Sequence, residues 1–112
     1  MCIGKSMNSE QFIGLLKEEV DDLQSYYSQG KSGETYIGTQ IEALPCSDDT
    51  KAKVLDLVNE AVKENLYVLL SALEGSSALA GVQQRYKILD ENNKLVSGEL
   101  DSEYYMQVLE NE

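Results

Sequence analysis

The sequence predicts an α+β domain: two main helices and a short one, then a two-stranded antiparallel β-hairpin and a short C-terminal helix. Apolar residues between Ser47 and Leu73 recur every three or four positions, which is the period of a helix. From Val82 onward the period changes to two, which is the period of a strand. Helices therefore precede strands along the chain, as is typical of the α+β class.

The first helix is predicted to begin at Asn8 or Ser9, whose side-chain oxygens can accept a hydrogen bond from an otherwise unpaired amide. Gln11 follows Asn8 by three residues, which is the spacing of a capping box. Gly30 fits the left-handed position just past the helix end. The predicted apolar face of this helix consists of Phe12, Leu16, Val20, Leu23 and Tyr27.

The segment from Lys31 to Pro45 fits either a short helix or a strand, because Ile37 and Ile41 satisfy both periods. We favour a short helix that ends before Pro45, since the residue before a proline is disfavoured in helical geometry.

The longest helix is predicted over Ser47–Leu73, with Ser47 as its N-cap and Gly75 as its stop. Its C-terminal part, Leu66–Leu73, is apolar on more than one side, so we expect it to form the centre of the core. Leu69 is placed at that centre, and its substitution by Ala is expected to cost about 2–5 kcal/mol.

The hairpin is predicted to consist of strands Val82–Leu89 and Lys94–Leu100, with Asn92 or Asn93 taking a positive φ in the turn between them. A two-stranded hairpin is rarely stable alone. We therefore expect it to lie against the longest helix or to pair its edge with another chain.

The last helix is predicted to be capped by Asp101 or Ser102 and to have an apolar face of Tyr105, Val108 and Leu109. Tyr104 and Tyr105 are adjacent on this helix, so their rings point in different directions. One ring is expected in the core, and the other on the surface.

Length and charge limit the classes of function. The 112 residues are enough for one domain, residues 1–112, and the formal charge is −11 with no histidine. Such a charge disfavours binding to nucleic acid and to anionic membranes, and it favours either a basic protein partner or simple solubility. No apolar run is long enough to span a bilayer, and Cys2 and Cys46 are expected as free thiols, so the predicted compartment is the cytoplasm.

No motif indicates a chemistry. Without histidine, the usual general base and a common metal ligand are absent. The motif Gly4-Lys5-Ser6 lacks the glycine and the strand that precede it in a phosphate-binding loop. We therefore predict no enzyme activity and no catalytic, cofactor or metal site.

Acidic and aromatic residues are the candidates for a protein interface. Tyr is common at interfaces because it offers a rigid contact area with a hydrogen-bonding end. The chain from Glu99 onward contains acids and no Lys or Arg, and further acids lie on the first helix. The candidate interface residues are Glu18, Asp22, Glu99, Asp101, Glu103, Tyr104 and Tyr105.

The segments Leu69–Gly75 and Gln83–Asn92 resemble small acidic bacterial domains of unassigned function, some of which are immunity proteins of toxin systems. The resemblance covers the last third of the chain and includes no catalytic motif. It implies a protein that binds a partner, often a basic toxin enzyme, and blocks it.

The leading hypothesis is an acidic protein-interaction domain, immunity-like in action, that binds a basic partner. The first alternative is a structural homodimer without a separate ligand. The second alternative is a small-molecule-binding domain, or an atypical enzyme, with its pocket between the hairpin and the helices.

Overall fold

A computed structural model gives the fold and describes residues 7–110. Cys2, the motif Gly4-Lys5-Ser6 and the last acid, Glu112, lie outside the described residues. The elements in chain order are helix α1 (Ser9–Ser28), a 3₁₀ turn (Gly30–Gly33), helices α2 (Tyr36–Glu42), α3 (Asp48–Leu73) and α4 (Leu100–Tyr104), and a π-helical turn (Tyr105–Leu109).

The predicted hairpin is wrong, and with it the α+β class. The part of the chain from residue 7 to residue 110 contains helices and no β-strand. In the predicted hairpin region, isolated bridges join Leu79 to Val82 and Leu89 to Leu95 without extending into a ladder.

Two amides of this region are bonded to groups outside the predicted hairpin ladder. The Tyr86 N–H donates to the carbonyl oxygen of Leu73 at the end of α3, 2.8 Å away. The Ile88 N–H donates to the Ser97 hydroxyl, 3.0 Å away. The two-residue period therefore marks a chain segment bonded to a helix end and a side chain, and it does not mark a sheet.

The turn itself is present. The Asp90 N–H donates to the Lys94 carbonyl oxygen at 2.9 Å, and Asn93 has φ 62°, so the predicted positive φ is confirmed. Asn93 tolerates this conformation better than most residues with a side chain.

The ends of α1 are confirmed. Asn8 Oδ1 accepts from the Gln11 N–H at 2.9 Å, and Gln11 Oε1 accepts from the Asn8 N–H at 3.0 Å. This reciprocal pair is a capping box, and it fixes the start of α1 at Ser9. Gly30 has φ 61°, the left-handed conformation expected after the helix.

The ends of α3 are also confirmed. Ser47 Oγ accepts from the Thr50 N–H at 3.2 Å, as an N-cap does. At the other end Gly75 has φ 78° and donates to the Ala72 carbonyl oxygen, while Ser76 donates to that of Ser71. These two bonds form a Schellman motif.

The short helix predicted before Pro45 is confirmed as α2.

The contacts divide the chain into two compact units. Among the described residues, the first unit comprises residues 7–17 and 65–110, and the second comprises Glu18–Glu64. Helices α1 and α3 each contribute residues to both units.

The core of the first unit confirms the predicted region of α3 but not the predicted residue. Leu70 is 4% exposed, whereas Leu69 is 44% exposed, so the large cost expected for Leu69→Ala belongs to Leu70. A run such as Leu66–Leu70 has apolar side chains all round the helix, so the period alone does not choose the buried one. The buried cluster consists of Ile13, Leu70, Val96, Leu100, Tyr104 and Val108.

The predicted cap of the last helix is wrong. Helix α4 begins at Leu100, after Glu99, which makes no side-chain cap. The Leu100 N–H donates instead to Glu74 Oε2 from the end of α3, 2.9 Å away. A carboxylate distant in sequence therefore serves as the cap that was expected from Asp101 or Ser102.

Candidate protein-binding surface

The C-terminal segment of the first unit presents an aromatic residue among acids. Helix α4 and the π turn place Tyr104 and Val108 in the core, so Tyr104, a candidate interface residue, lies off the surface. Tyr105, which was predicted on the apolar face of the last helix, is instead 49% exposed, and Met106 is 47% exposed. We call Tyr105 and Met106, with Glu99, Asp101 and Glu103, the Tyr105 surface.

Tyr105 is held by packing against α3. Its ring lies 6.1 Å from the ring of Tyr67, centroid to centroid, with 55° between the ring planes. Tilted aromatic pairs at this distance are favourable. Tyr105 therefore offers a contact area whose orientation is already restricted.

Asp101 and Glu103 are oriented by neighbouring polar side chains. The Ser76 hydroxyl donates to Asp101 Oδ2 at 2.7 Å. Gln107 Nε2 donates to Glu103 Oε1 at 3.0 Å and to the Glu10 carbonyl oxygen of α1 at 3.1 Å. Both acids therefore have fixed partners at the protein surface, which lowers the conformational entropy lost on binding.

Glu99 is exposed, and its backbone is tied to α1. Its N–H donates to Ser9 Oγ at 3.1 Å, and the same buried hydroxyl donates to the Val96 carbonyl oxygen at 2.6 Å. One serine at the start of α1 thus fixes the chain on either side of Gly98.

The π turn is the local irregularity of this segment. The Glu110 N–H donates to the Tyr105 carbonyl oxygen five residues earlier, at 2.7 Å. Single π turns are rare and are frequently found at functional sites. This turn begins at the exposed tyrosine.

Glu74, at the end of α3, binds the backbone at the start of α4, and it was not among the residues predicted from the sequence. Its side chain is 2% exposed, and its Oε2 accepts from the N–H groups of Gly98 and Leu100 at 2.6 and 2.9 Å. Its buried Oε1 has no hydrogen-bond partner among the described residues, and Arg85 Nε lies 4.0 Å away. One signal pointed to it: an acid at the C-terminal end of a helix is opposed by the helix dipole unless other donors stabilise it.

The other two candidate acids, Glu18 and Asp22, belong to the second unit. Both are exposed on α1. They and the Tyr105 surface are therefore described as separate acidic features.

The described part of the chain offers neither a metal-binding cluster nor a membrane-spanning helix. Between residues 7 and 110, no group of three or more His, Cys, Asp or Glu residues is arranged to hold a metal ion. No helix in this part of the chain combines the length and the apolar character needed to cross a bilayer.

The comparisons with known proteins give no relative: no family model, no curated protein and no solved structure matches the chain.

Proposed function

We propose that this chain is a protein-binding domain that uses the Tyr105 surface to bind a basic partner. The observation that carries the proposal is the exposed Tyr105 ring, packed on Tyr67, in a segment that has acids and no Lys or Arg from Glu99 onward. Tyrosine is enriched among residues that dominate binding energy.

The mechanism has two stages. The net charge of −11 attracts a basic protein at long range and raises its association rate. Tyr105 and Met106 then become buried in the contact, while Glu99, Asp101 and Glu103 pair with basic side chains at its rim. Rim pairs contribute mainly to specificity and rate, and the buried aromatic ring contributes most of the affinity.

The resemblance of the segment around Gln83–Asn92 to small acidic bacterial domains suggests a narrower form of the proposal. In that form the chain is an immunity-like inhibitor, and its basic partner is a toxin enzyme. The exposed free thiol of Cys46 fits the reducing cytoplasm that we propose as its compartment.

Site-specific crosslinking tests the proposal. A photoreactive phenylalanine analogue is placed at Tyr105 of the full chain, and in a matched control at Tyr36, an exposed tyrosine of the second unit. After irradiation in host lysate, we expect position 105 to crosslink to one basic protein, and position 36 to give no crosslink to it.

Two further conditions show whether charge drives that capture. The crosslink should weaken between 50 and 300 mM salt, values that roughly halve the screening length of surface charges. It should be lost in Glu99→Lys/Glu103→Lys and kept in Asp56→Lys/Glu64→Lys, which makes the same change of charge at exposed positions of α3. Equal loss in both double variants would overturn the proposal, as would a crosslink only to a second copy of the chain, which would indicate the homodimer.

A further inference from the structure

An extended stretch of the first unit leaves one edge of its backbone unpaired. The N–H groups of Tyr86, Ile88 and Asp90 all donate to acceptors within that unit. Because successive N–H groups of an extended chain point in opposite directions, those of the intervening Lys87 and Leu89 point the other way. Among the described residues, neither the N–H nor the carbonyl oxygen of Lys87 or Leu89 has a hydrogen-bond partner. We call these four backbone groups the Lys87 edge.

The bridge between Leu89 and Leu95 fixes the direction of the second half of this edge. Two backbone hydrogen bonds flank the bridge, from the Asp90 N–H to the Lys94 carbonyl oxygen at 2.9 Å and from the Val96 N–H to the Ile88 carbonyl oxygen at 2.7 Å. Leu89 and Leu95 are therefore the non-hydrogen-bonded pair of an antiparallel arrangement. In such a pair the two side chains lie close together, and the backbone groups of each residue point away from the other residue. The N–H and carbonyl groups of Leu89 thus point outward.

The side chains along the Lys87 edge combine a cation with an apolar pair. Lys87 and Leu89 are exposed and lie on the same face, because they are two residues apart in an extended chain. Leu95 is exposed as well, so Leu89 and Leu95 together form a small apolar surface on that face. An unpaired edge is a template for a further strand. A peptide that adds such a strand gains affinity from main-chain hydrogen bonds and specificity from its alternate side chains.

We propose that the Lys87 edge binds an extended segment of another protein by strand addition, and that this segment has an apolar residue followed two positions later by an acid. An antiparallel segment would form two hydrogen bonds with Lys87 and two with Leu89. Its apolar side chain would then lie opposite Leu89 and enlarge the surface made by Leu89 and Leu95. Its acid would lie opposite Lys87, and cross-strand pairs of opposite charge are favourable whereas pairs of like charge are not. Lys87 therefore selects among the strands that the edge can accept.

A second copy of this chain fits the edge less well. Two copies each carry a charge of −11 and repel one another. Glu91, the acid that directly follows the extended stretch, lies in the turn and cannot continue a strand opposite Lys87. The proposal is independent of the Tyr105 surface, because the two share no residue. A protein that is basic overall can still carry the short segment that the edge requires, so the net charge of the chain does not oppose it.

The test is an NMR titration of the full ¹⁵N-labelled chain with three peptides whose ends are blocked. The first has the sequence Thr-Thr-Val-Thr-Glu-Thr-Thr, the second has Lys in place of Glu, and the third is the first peptide with N-methyl groups on Val and Glu. We expect the Glu peptide to cause saturable shifts at the Lys87 and Leu89 amides. The Lys peptide should bind about fivefold more weakly, because it replaces an attractive cross-strand pair by a repulsive one. The N-methylated peptide should cause no saturable shift, because the two N–H groups that would bond to the edge are blocked.

Two charge-reversal variants locate the effect. Lys87→Glu should reverse the preference, so that the Lys peptide binds more tightly than the Glu peptide. Lys53→Glu makes the same change of charge at an exposed position of the second unit and should keep the original preference. The proposal is overturned by equal binding of the N-methylated peptide, by the same change of preference in both variants, or by the absence of saturable shifts at Lys87 and Leu89. Shifts of these two amides with chain concentration alone would indicate a second copy as the occupant and would also overturn it.

Discussion

Glu74 is a buried carboxylate just past the C-terminal end of α3. The negative end of the α3 dipole disfavours an acid at this position. The amides of Gly98 and Leu100 reverse that preference, because they present two donors and the positive end of α4 to the same oxygen. One side chain therefore joins the end of one helix to the start of another.

Removing this carboxylate should destabilise the first unit. We expect Glu74→Ala to lower the free energy of unfolding by about 3 kcal/mol, because two N–H groups lose a charged acceptor in a buried site. Glu74→Gln keeps an acceptor oxygen and should lose only about 1 kcal/mol. Urea denaturation measures both values, and a loss below about 0.5 kcal/mol for Glu74→Ala would show that water replaces the carboxylate without penalty.

Leu70 and Leu69 form a matched pair of the same residue type on adjacent positions of α3. We expect Leu70→Ala to cost about 2–5 kcal/mol, because it leaves a cavity in the core of the first unit, and Leu69→Ala to cost less than about 1 kcal/mol. Chemical denaturation of the two variants gives the comparison directly. Equal losses would mean that Leu69 is buried in solution, for example against a second chain.

The turn at Asp90 is the element whose stability depends on a titrating group. Asp90 Oδ1 accepts from the N–H groups of Lys94 and Asn92 at 3.0 and 2.8 Å. These bonds, that to Lys94 foremost, hold the pKa of the carboxyl below its ordinary value of 3.8. Because the folded pKa is the lower one, the contribution of Asp90 to stability is complete above pH 3.8 and is lost as the pH falls through the folded pKa.

An NMR pH titration checks this assignment. The amide shifts of Asn92 and Lys94 should change with a midpoint below pH 3.8, and Asp90→Asn should abolish that change. Glu91→Gln alters the adjacent exposed acid and should leave the midpoint where it was. A midpoint at or above 3.8 in the unmodified chain would contradict the hydrogen bonding of the turn.

Whether the partners of a residue are near or distant in sequence explains which elements could be predicted. Asn8 with Gln11, Ser47 with Thr50, and the glycine at position 75 act within a few residues, so the ends of α1 and α3 could be predicted. The partners of the region after Val82 could not. Whether an alternating segment becomes a strand depends on what its amides meet, and here the Tyr86 amide meets the Leu73 carbonyl oxygen.

The candidate site follows the same rule. That one of two adjacent tyrosines would be exposed could be predicted, because neighbouring residues on a helix face different directions. Which one is exposed is decided by residues far away in sequence, among them Ile13 of α1 and Leu70 of α3, which form the core around Tyr104.

At the scale of the whole molecule, charge and apolar contact act over different distances. The acids of both units give the chain a long-range attraction for basic proteins, the class of partner proposed for the Tyr105 surface. Apolar contact at Tyr105 and Met106 would then select among those proteins at short range.

The pairing of Ile13 with Leu100, Tyr104 and Val108 has a consequence for synthesis on the ribosome. Residues 18–64 form a contiguous unit, so all of its internal contacts are made by residues that are synthesised before Val96. Ile13 precedes most of its core neighbours by more than 80 residues of chain. The nascent chain therefore carries that isoleucine without most of its core neighbours until Val96 and the residues after it have been made.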